Sequence, residues 1–314
     1  MSKHVMTTRA ATGVGLIAVL VWSAMAPLTV LAAGIPPFQL VAMSFSLGAL
    51  IGLVYLGLRP NARDDLARMT LPAAALGIGG LLGFHVFYFL SLSLAPPLQA
   101  NLVNYLWPLL IVLFSALLPN SGGGLRWHHL LGSFLAFAGA VLAITKGAAI
   151  PALVPAALAG YAVALLSAVT WAGYSVLSRL FAGVPSSAVA IYCAATALAG
   201  ALAHFALEAT AWPLSSTQWL ACAGLGLGPV GLAFYVWDYG CKHGDLRVLG
   251  ASAYFAPLLS TLLLIVFGLA EASPVLWLAA LAITGGALLA SKELLLGPAK
   301  MRVAPSDAGE VART

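Results

Sequence analysis

Long apolar runs, each about 20 residues and each ended by Pro, Gly or charge, recur along the whole chain. They lie near 11–33, 37–58, 71–94, 98–118, 127–147, 156–179, 186–207, 217–238, 248–270 and 274–293. The runs are continuous and lack the apolar–polar alternation of barrel strands, so they predict helices. Each has spanning length. The expected fold is an all-α polytopic membrane protein with ten transmembrane helices. The run from Ala11 to Ala33 follows Lys3 and Arg9 and contains "LAAG", which resembles a secretory signal. Its length is that of a span rather than a signal, and its Trp22 recurs later in the chain, so it is assigned to the fold.

Composition agrees. The chain is 62% hydrophobic and 7% charged, too little charge to cover a soluble protein of 314 residues. Charge then orients the helices. With the N-terminus in the cytoplasm, Lys3, Arg9, Arg59, Arg63, Arg68, Arg126, Arg179, Lys242, Arg247, Lys292, Lys300, Arg302 and Arg313 fall inside, and of the basic residues Lys146 alone falls outside. That bias predicts cytoplasmic N- and C-termini, and the net charge of +5 reflects topology rather than nucleic-acid binding. Cys193, Cys222 and Cys241 lie far apart, make no metal-ligand spacing and read as small apolar fillers. The polar tail, 298–314, is expected to be disordered and cytoplasmic.

A shift of 149 residues superposes Trp22 on Trp171, Gly77 on Gly226, Gly79 on Gly228, Tyr105 on Tyr254 and Pro108 on Pro257. A shift of 146 superposes Gly139 on Gly285 and Lys146 on Lys292. The chain therefore divides into repeats at 11–147 and 156–293. Five helices per repeat is an odd number, so the second must enter the membrane in the opposite sense. Two inverted five-helix repeats are an architecture of alternating-access carriers.

The polar residues inside the spans are the candidate chemistry. "QANLVNYLWPLL" places Asn101, Asn104, Tyr105 and Pro108 within about a third of a helix circumference, a stripe suited to a cavity. Trp107 falls off that stripe. Pro108 removes an N–H and frees a carbonyl about one turn earlier. In "GFHVFYFLSLS", His85 is the deepest ionisable residue, with Tyr88 and Phe89 on its face. Trp22 and Trp171 lie in mid-helix rather than in an interfacial belt, with Tyr174 and Ser178 on the turns after Trp171. The glycines at 77, 79, 80 and 83, and at 224, 226, 228 and 231, read as close-packing faces. Asp238, Lys242, His243 and Asp245 read as a solvated cytoplasmic rim. No carboxylate is expected in mid-membrane, and no Walker loop, GxSxG or HExxH is present, so neither ATP-driven pumping nor familiar hydrolase chemistry has its parts. No metal or cofactor is expected. A cavity of Trp, Tyr, Phe, Asn and His suits a neutral amphipathic solute.

The mid-helix "VWS" and "TWA" segments and the pair "NYLWPLL" and "AYFAPLL", in this order and symmetry, resemble the drug/metabolite transporter superfamily, EamA type. The resemblance covers about residues 11 to 294. It implies a bacterial inner-membrane exporter of aromatic and other amino acids or related metabolites, with a central cavity between two four-helix sides and the fifth and tenth helices peripheral. His85, Tyr88, Tyr105, Trp107, Trp171 and Tyr254 then become cavity or gate candidates, alongside Asn101 and Tyr174 from the reading above. The expected partners are a small-molecule substrate and the lipid bilayer, with no nucleic acid, for a monomer. Transport down the solute's own gradient is expected. The competing readings are a proton-coupled antiporter, a carrier of charged solutes such as nucleotide sugars, for which only Lys146 and Lys292 offer charge, and a membrane enzyme, for which no catalytic constellation exists.

Overall fold

The computed structural model describes residues 6–58, 60–118, 125–149, 155–268, 271 and 273–296; the tail at 298–314 lies outside them. Among the described residues all regular structure is helical. The helices are α1 (Thr8–Trp22), α2 (Met25–Leu31), α3 (Pro37–Gly57), α4 (Ala62–Ala67), α5 (Leu71–Leu94), α6 (Pro97–Asn104), α7 (Trp107–Ser115), α8 (Trp127–Thr145), α9 (Leu158–Leu177), α10 (Val189–Leu207), α11 (Ser216–Leu227), α12 (Ala233–His243), α13 (Leu246–Ser252), α14 (Phe255–Val266) and α15 (Pro274–Leu296). Six continuous helical segments are long and apolar enough to cross a membrane: Thr8–Leu31, Pro37–Gly57, Leu71–Leu94, Pro155–Phe181, Ser186–Leu207 and Ser216–His243. Four shorter apolar helices, Gln99–Ser115, Trp127–Leu142, Leu246–Ser260 and Trp277–Ala290, fall on the other expected runs. Large apolar side chains such as Leu20, Leu202, Phe205 and Leu281 are exposed on the outside, as a multi-pass membrane protein requires and a soluble one avoids.

Local chemistry sets the ends. Thr70 caps α5 by accepting from Ala73 N–H, and Ser215 and Gln218 form a reciprocal capping box on α11. Glu208 caps α3 from a distant part of the chain: its two carboxylate oxygens accept from the N–H groups of Phe38 and Gln39 at 3.0 and 3.1 Å. Proline accounts for the break between α6 and α7. Pro108 has no N–H to offer, the helix interrupts at Tyr105 and Leu106, and the N–H of Leu109 donates to the hydroxyl of Tyr254 at 3.2 Å. The repeat-related break, at Ala253 and Tyr254, separates α13 from α14.

The segments pack in pairs. α1 lies along α12, α5 along α9, α3 along α10, α7 along α13 and α8 along α15. Small residues permit the close approach. A Cβ on Gly132 would lie 2.5 Å from the Gly286 carbonyl oxygen, and one on Gly240 would lie 2.5 Å from Gly15 Cα. Of the glycine face on α5, Gly77 and Gly80 are filled by the rings of Tyr192 and Tyr174, whereas Gly79 faces open space.

Two expectations need correction. The eighth span does not end at 238 but continues through α12 to His243. Asp238 and Lys242 are therefore not a solvated rim: they are 1% and 5% exposed, inside the helix and covered by neighbouring segments. Asp238 is thus a buried carboxylate in α12.

Candidate functional site

Four tryptophans from four segments meet in the middle of the bundle. Trp22 ends α1, Trp107 begins α7, Trp171 lies in α9 and Trp237 in α12. Trp22 is 5.0 Å from Trp237, 5.8 Å from Trp171 and 6.1 Å from Trp107 between ring centroids. Trp107 meets Trp171 and Trp237 edge-on at 6.3 and 5.9 Å. Such tilted and T-shaped arrangements suit the ring quadrupoles. The indole N–H groups that are satisfied fix the layer: Trp22 donates to the Pro229 carbonyl at 3.0 Å, and Trp237 donates to Ser175 Oγ at 3.0 Å. The Pro229 acceptor lies in a single π-helical turn, Gly228–Leu232, a local irregularity of a kind that recurs at functional sites. Trp107, Trp171 and Trp237 are buried and Trp22 is half-buried.

On one side of this layer, toward the end holding Phe38, Asn101 and Glu208, the lining loosens and turns polar. His85, Tyr88, Asn101 and Tyr105 are all half-buried rather than buried. Tyr88 donates to Asn101 Oδ1 at 3.3 Å and stacks on Phe84 at 5.9 Å. The His85 ring is wedged edge-on against Phe45 and Phe84 at 4.8 and 5.1 Å. Its Nδ1 lies 2.7 Å from the Leu81 carbonyl, which can only accept. In the neutral ring Nδ1 therefore carries the proton and Nε2 remains an acceptor. Phe234, stacked on Phe45 at 5.6 Å and 5.6 Å from Trp171, joins this lining to the tryptophan layer.

On the other side of the tryptophans lies a buried charged cluster. Lys242 Nζ lies 2.7 Å from Asp238 Oδ2 and donates to the Val184 carbonyl at 2.9 Å. Tyr174 donates to Asp238 Oδ1 at 3.0 Å, and Ser186 donates to Oδ2 at 2.6 Å. Arg179 closes the end of α12 by donating to the carbonyls of Cys241 and Gly244.

The sequence-derived residues thus separate. His85, Tyr88, Asn101 and Tyr105 are half-buried on the polar side; Trp107 and Trp171 belong to the tryptophan cluster; Tyr174 bridges that cluster, 5.3 Å from Trp171, to the charged cluster. Trp107 joins the layer because the break at Tyr105 and Leu106 resets the helical phase, which a continuous wheel over 98–118 does not represent. Tyr254 does not join: it is fully buried, packs on Phe137 at 5.9 Å and spends its hydroxyl on Leu109. Asn104, also on the expected stripe, is buried with no partner for Oδ1. The sequence reading left Phe45, Phe234 and Trp237 out of the site, and their spacing at positions 234 and 237, one turn apart on α12, was the available signal.

The comparisons with known proteins agree with a transporter rather than an enzyme. The model of the EamA-like transporter family matches twice, over residues 10–145 and 158–292. A relative from Ancylobacter novellus, named aromatic amino acid exporter YddG, is 46% identical over 286 residues, covering 91% of this chain and 98% of its own. One of the same name from Salmonella typhimurium is 28% identical over 296 residues, covering 90% and 97%. A solved crystal structure that is 44% identical superposes with a TM-score of 0.83, covering 91% of this chain and 99% of its own. With both halves matched in register and a central aromatic site, the chain belongs to the EamA-like transporter family.

Proposed function

We propose that this protein is a bacterial inner-membrane exporter of aromatic and other neutral amino acids, or related metabolites, working by alternating access down the solute's own gradient. The scaffold of this reading is ten spans in two inverted repeats, 11–147 and 156–293, with both termini in the cytoplasm. The twofold family match and the repeat-related breaks at Tyr105 and Tyr254 support it. The observation that carries the reading is the layering: a half-buried lining of His85, Tyr88, Asn101 and Tyr105 on one side of the tryptophan layer, and a buried charged cluster on the other. Rings stack against an aromatic or apolar side chain, while the amide, phenols and imidazole serve polar atoms. With the N-terminus inside, the looser side faces the periplasm and the charged cluster faces the cytoplasm. The relatives named aromatic amino acid exporters support testing aromatic amino acids first. A charged-solute carrier is less well supported, because Lys146 caps the end of α8, Lys292 lies over the Trp127 ring, and the buried Lys242 is already paired with Asp238.

Purified protein in proteoliposomes, loaded against a panel of labelled amino acids, tests this. Saturable passage of phenylalanine, tyrosine or tryptophan is expected. Passage of none of the panel would overturn the reading. Proton-coupled antiport is kept as a second reading, because Asp238 gives the bundle a buried carboxylate.

A further inference from the structure

Asp238 and Lys242 carry opposite charges where charge is costly, and every close partner they have lies on another segment or one turn away. We propose that this pair is the cytoplasm-side recognition site for the α-ammonium and α-carboxylate groups of a zwitterionic amino acid, which takes the place of the internal ion pair as that end opens. The inference rests on the exporter reading and names the chemistry its entry step selects.

Four observations carry it. The partners divide between two packed units: Asp238 and Lys242 are on α12, which lies along α1, whereas Tyr174 is on α9, which lies along α5, and Val184 and Ser186 lead into α10. An opening between α12 and the α9–α10 side would draw Tyr174, Ser186 and Val184 away from both charges. A small cleft lined by Gly77, Tyr174, Tyr192, Asp238 and Lys242 already reaches the pair. The residues related by the repeat are Phe89 for Asp238, Ser93 for Lys242, Met25 for Tyr174 and Pro37 for Ser186, so the charged device exists at one end only and helix symmetry does not explain it. Finally, the half-buried lining on the far side contains His85, Tyr88, Asn101 and Tyr105 but no carboxylate or ammonium group.

The chemistry follows. As that end opens, Asp238 and Lys242 lose the neutral partners Tyr174, Ser186 and Val184 and keep only each other, on one helix, so both are left with unfilled hydrogen-bonding capacity. A zwitterion fills both with one molecule: its ammonium to Asp238 and its carboxylate to Lys242. The two residues are one helical turn apart on one face, a span that a single α-amino acid backbone bridges. Its side chain then lies toward Tyr174 and Trp171, the edge of the tryptophan layer. A solute bearing one charge would leave the other residue unpaired, so the site discriminates by charge pattern rather than by ring. Arg179 directs its Nε and one terminal nitrogen to the carbonyls of Cys241 and Gly244 at the end of α12 rather than to Asp238.

The test uses the full chain and three probes: phenylalanine, phenylalanine amide (ammonium only) and N-acetylphenylalanine (carboxylate only). Asp238→Asn/Lys242→Gln keeps hydrogen-bonding shape without charge and is checked for folding by thermal melting in detergent; the single variants accompany it. In wild type, phenylalanine should be preferred over both derivatives. The double variant should raise the KM for phenylalanine about tenfold or more while leaving the derivatives within about twofold, as expected when a polar recognition site is lost. Asp238→Asn should relax discrimination against N-acetylphenylalanine, and Lys242→Gln against the amide. If a folded double variant keeps the wild-type KM and selectivity, or all three probes weaken by one common factor, the pair is a structural latch and the proposal is overturned. Ligand-induced stabilisation in detergent separates this from failure of the exporter reading: stabilisation by phenylalanine that needs both charges, without passage into vesicles, would keep the site and overturn the exporter.

Discussion

At the scale of single residues, the tryptophan layer and the polar lining should respond differently to truncation. Tyr105 is half-buried, so Tyr105→Ala leaves the fold largely intact and removes a lining ring worth on the order of 1 kcal/mol beyond its area. A several-fold rise in KM for the best aromatic substrate, at unchanged melting temperature, is the expected result; wild-type KM would remove Tyr105 from the lining. Trp171 is 3% exposed and touches Trp22, Trp107, Trp237, Phe84, Phe234 and Tyr174. Trp171→Ala should lose transport and also about 3–5 kcal/mol of stability through the cavity it leaves. Thermal melting beside transport measures both. His85, Tyr105 and Trp171 were legible in the sequence because polar or interfacial residue types stand in mid-span, where they are expensive. Asp238 was not legible as a buried group. Its stretch "DYGCKHGD" reads as the end of a span, and burial came from α9 and the 184–186 segment folding over it, which no local pattern encodes.

At the scale of elements, glycines decide how near the helices come. Gly79 and Gly80 are adjacent on α5 and make a matched pair. An added Cβ at 80 would meet the Tyr174 side chain at 2.6 Å, while at 79 nothing lies within 4 Å. Gly80→Ala should therefore lower the melting temperature, at a cost of about 1–3 kcal/mol for overpacking. Gly79→Ala should be neutral or slightly stabilising through helix propensity. Equal effects would show that α5 does not pack on α9 as described. The sequence reading grouped these glycines as one packing face; the partner ring distinguishes them. The broken helices were half legible. Pro108 and Pro257 signal a distortion, but the partner that satisfies Leu109 N–H after the break, the Tyr254 hydroxyl, comes from the other half of the chain.

At the scale of the whole molecule, topology and energy coupling each have a direct measurement. Single cysteines at Ala33 and Pro96, both exposed, should react with an impermeant thiol reagent applied from the periplasmic side, and one at Asn61 should not. The native Cys193, Cys222 and Cys241 are buried and are replaced first to clear the background. The reverse pattern would overturn the inward N-terminus. Coupling is read in valinomycin-clamped vesicles with a pH gradient and no substrate gradient. Simple equilibration of substrate is expected. Uphill accumulation would establish proton antiport, and its loss in His85→Gln or in Asp238→Asn would say which group carries the proton.

Much about this protein is determined by sequence alone. Hydropathy places the spans, because hydrocarbon tolerates only helices that satisfy their own backbone. The basic residues predict orientation, and the 149-residue echo predicts two repeats of opposite sense. What only the tertiary structure decided is which polar residues face a lining and which are spent on packing. Tyr105 and Tyr254 are mates in the repeat, yet one is half-exposed and the other holds a helix break together. A repeat encodes the same local chain twice, but a single folded state surrounds its two copies with different neighbours. Burial, ion pairing and hydrogen-bond partners belong to those neighbours, so the tryptophan layer and the buried Asp238–Lys242 cluster exist only once the helices are packed.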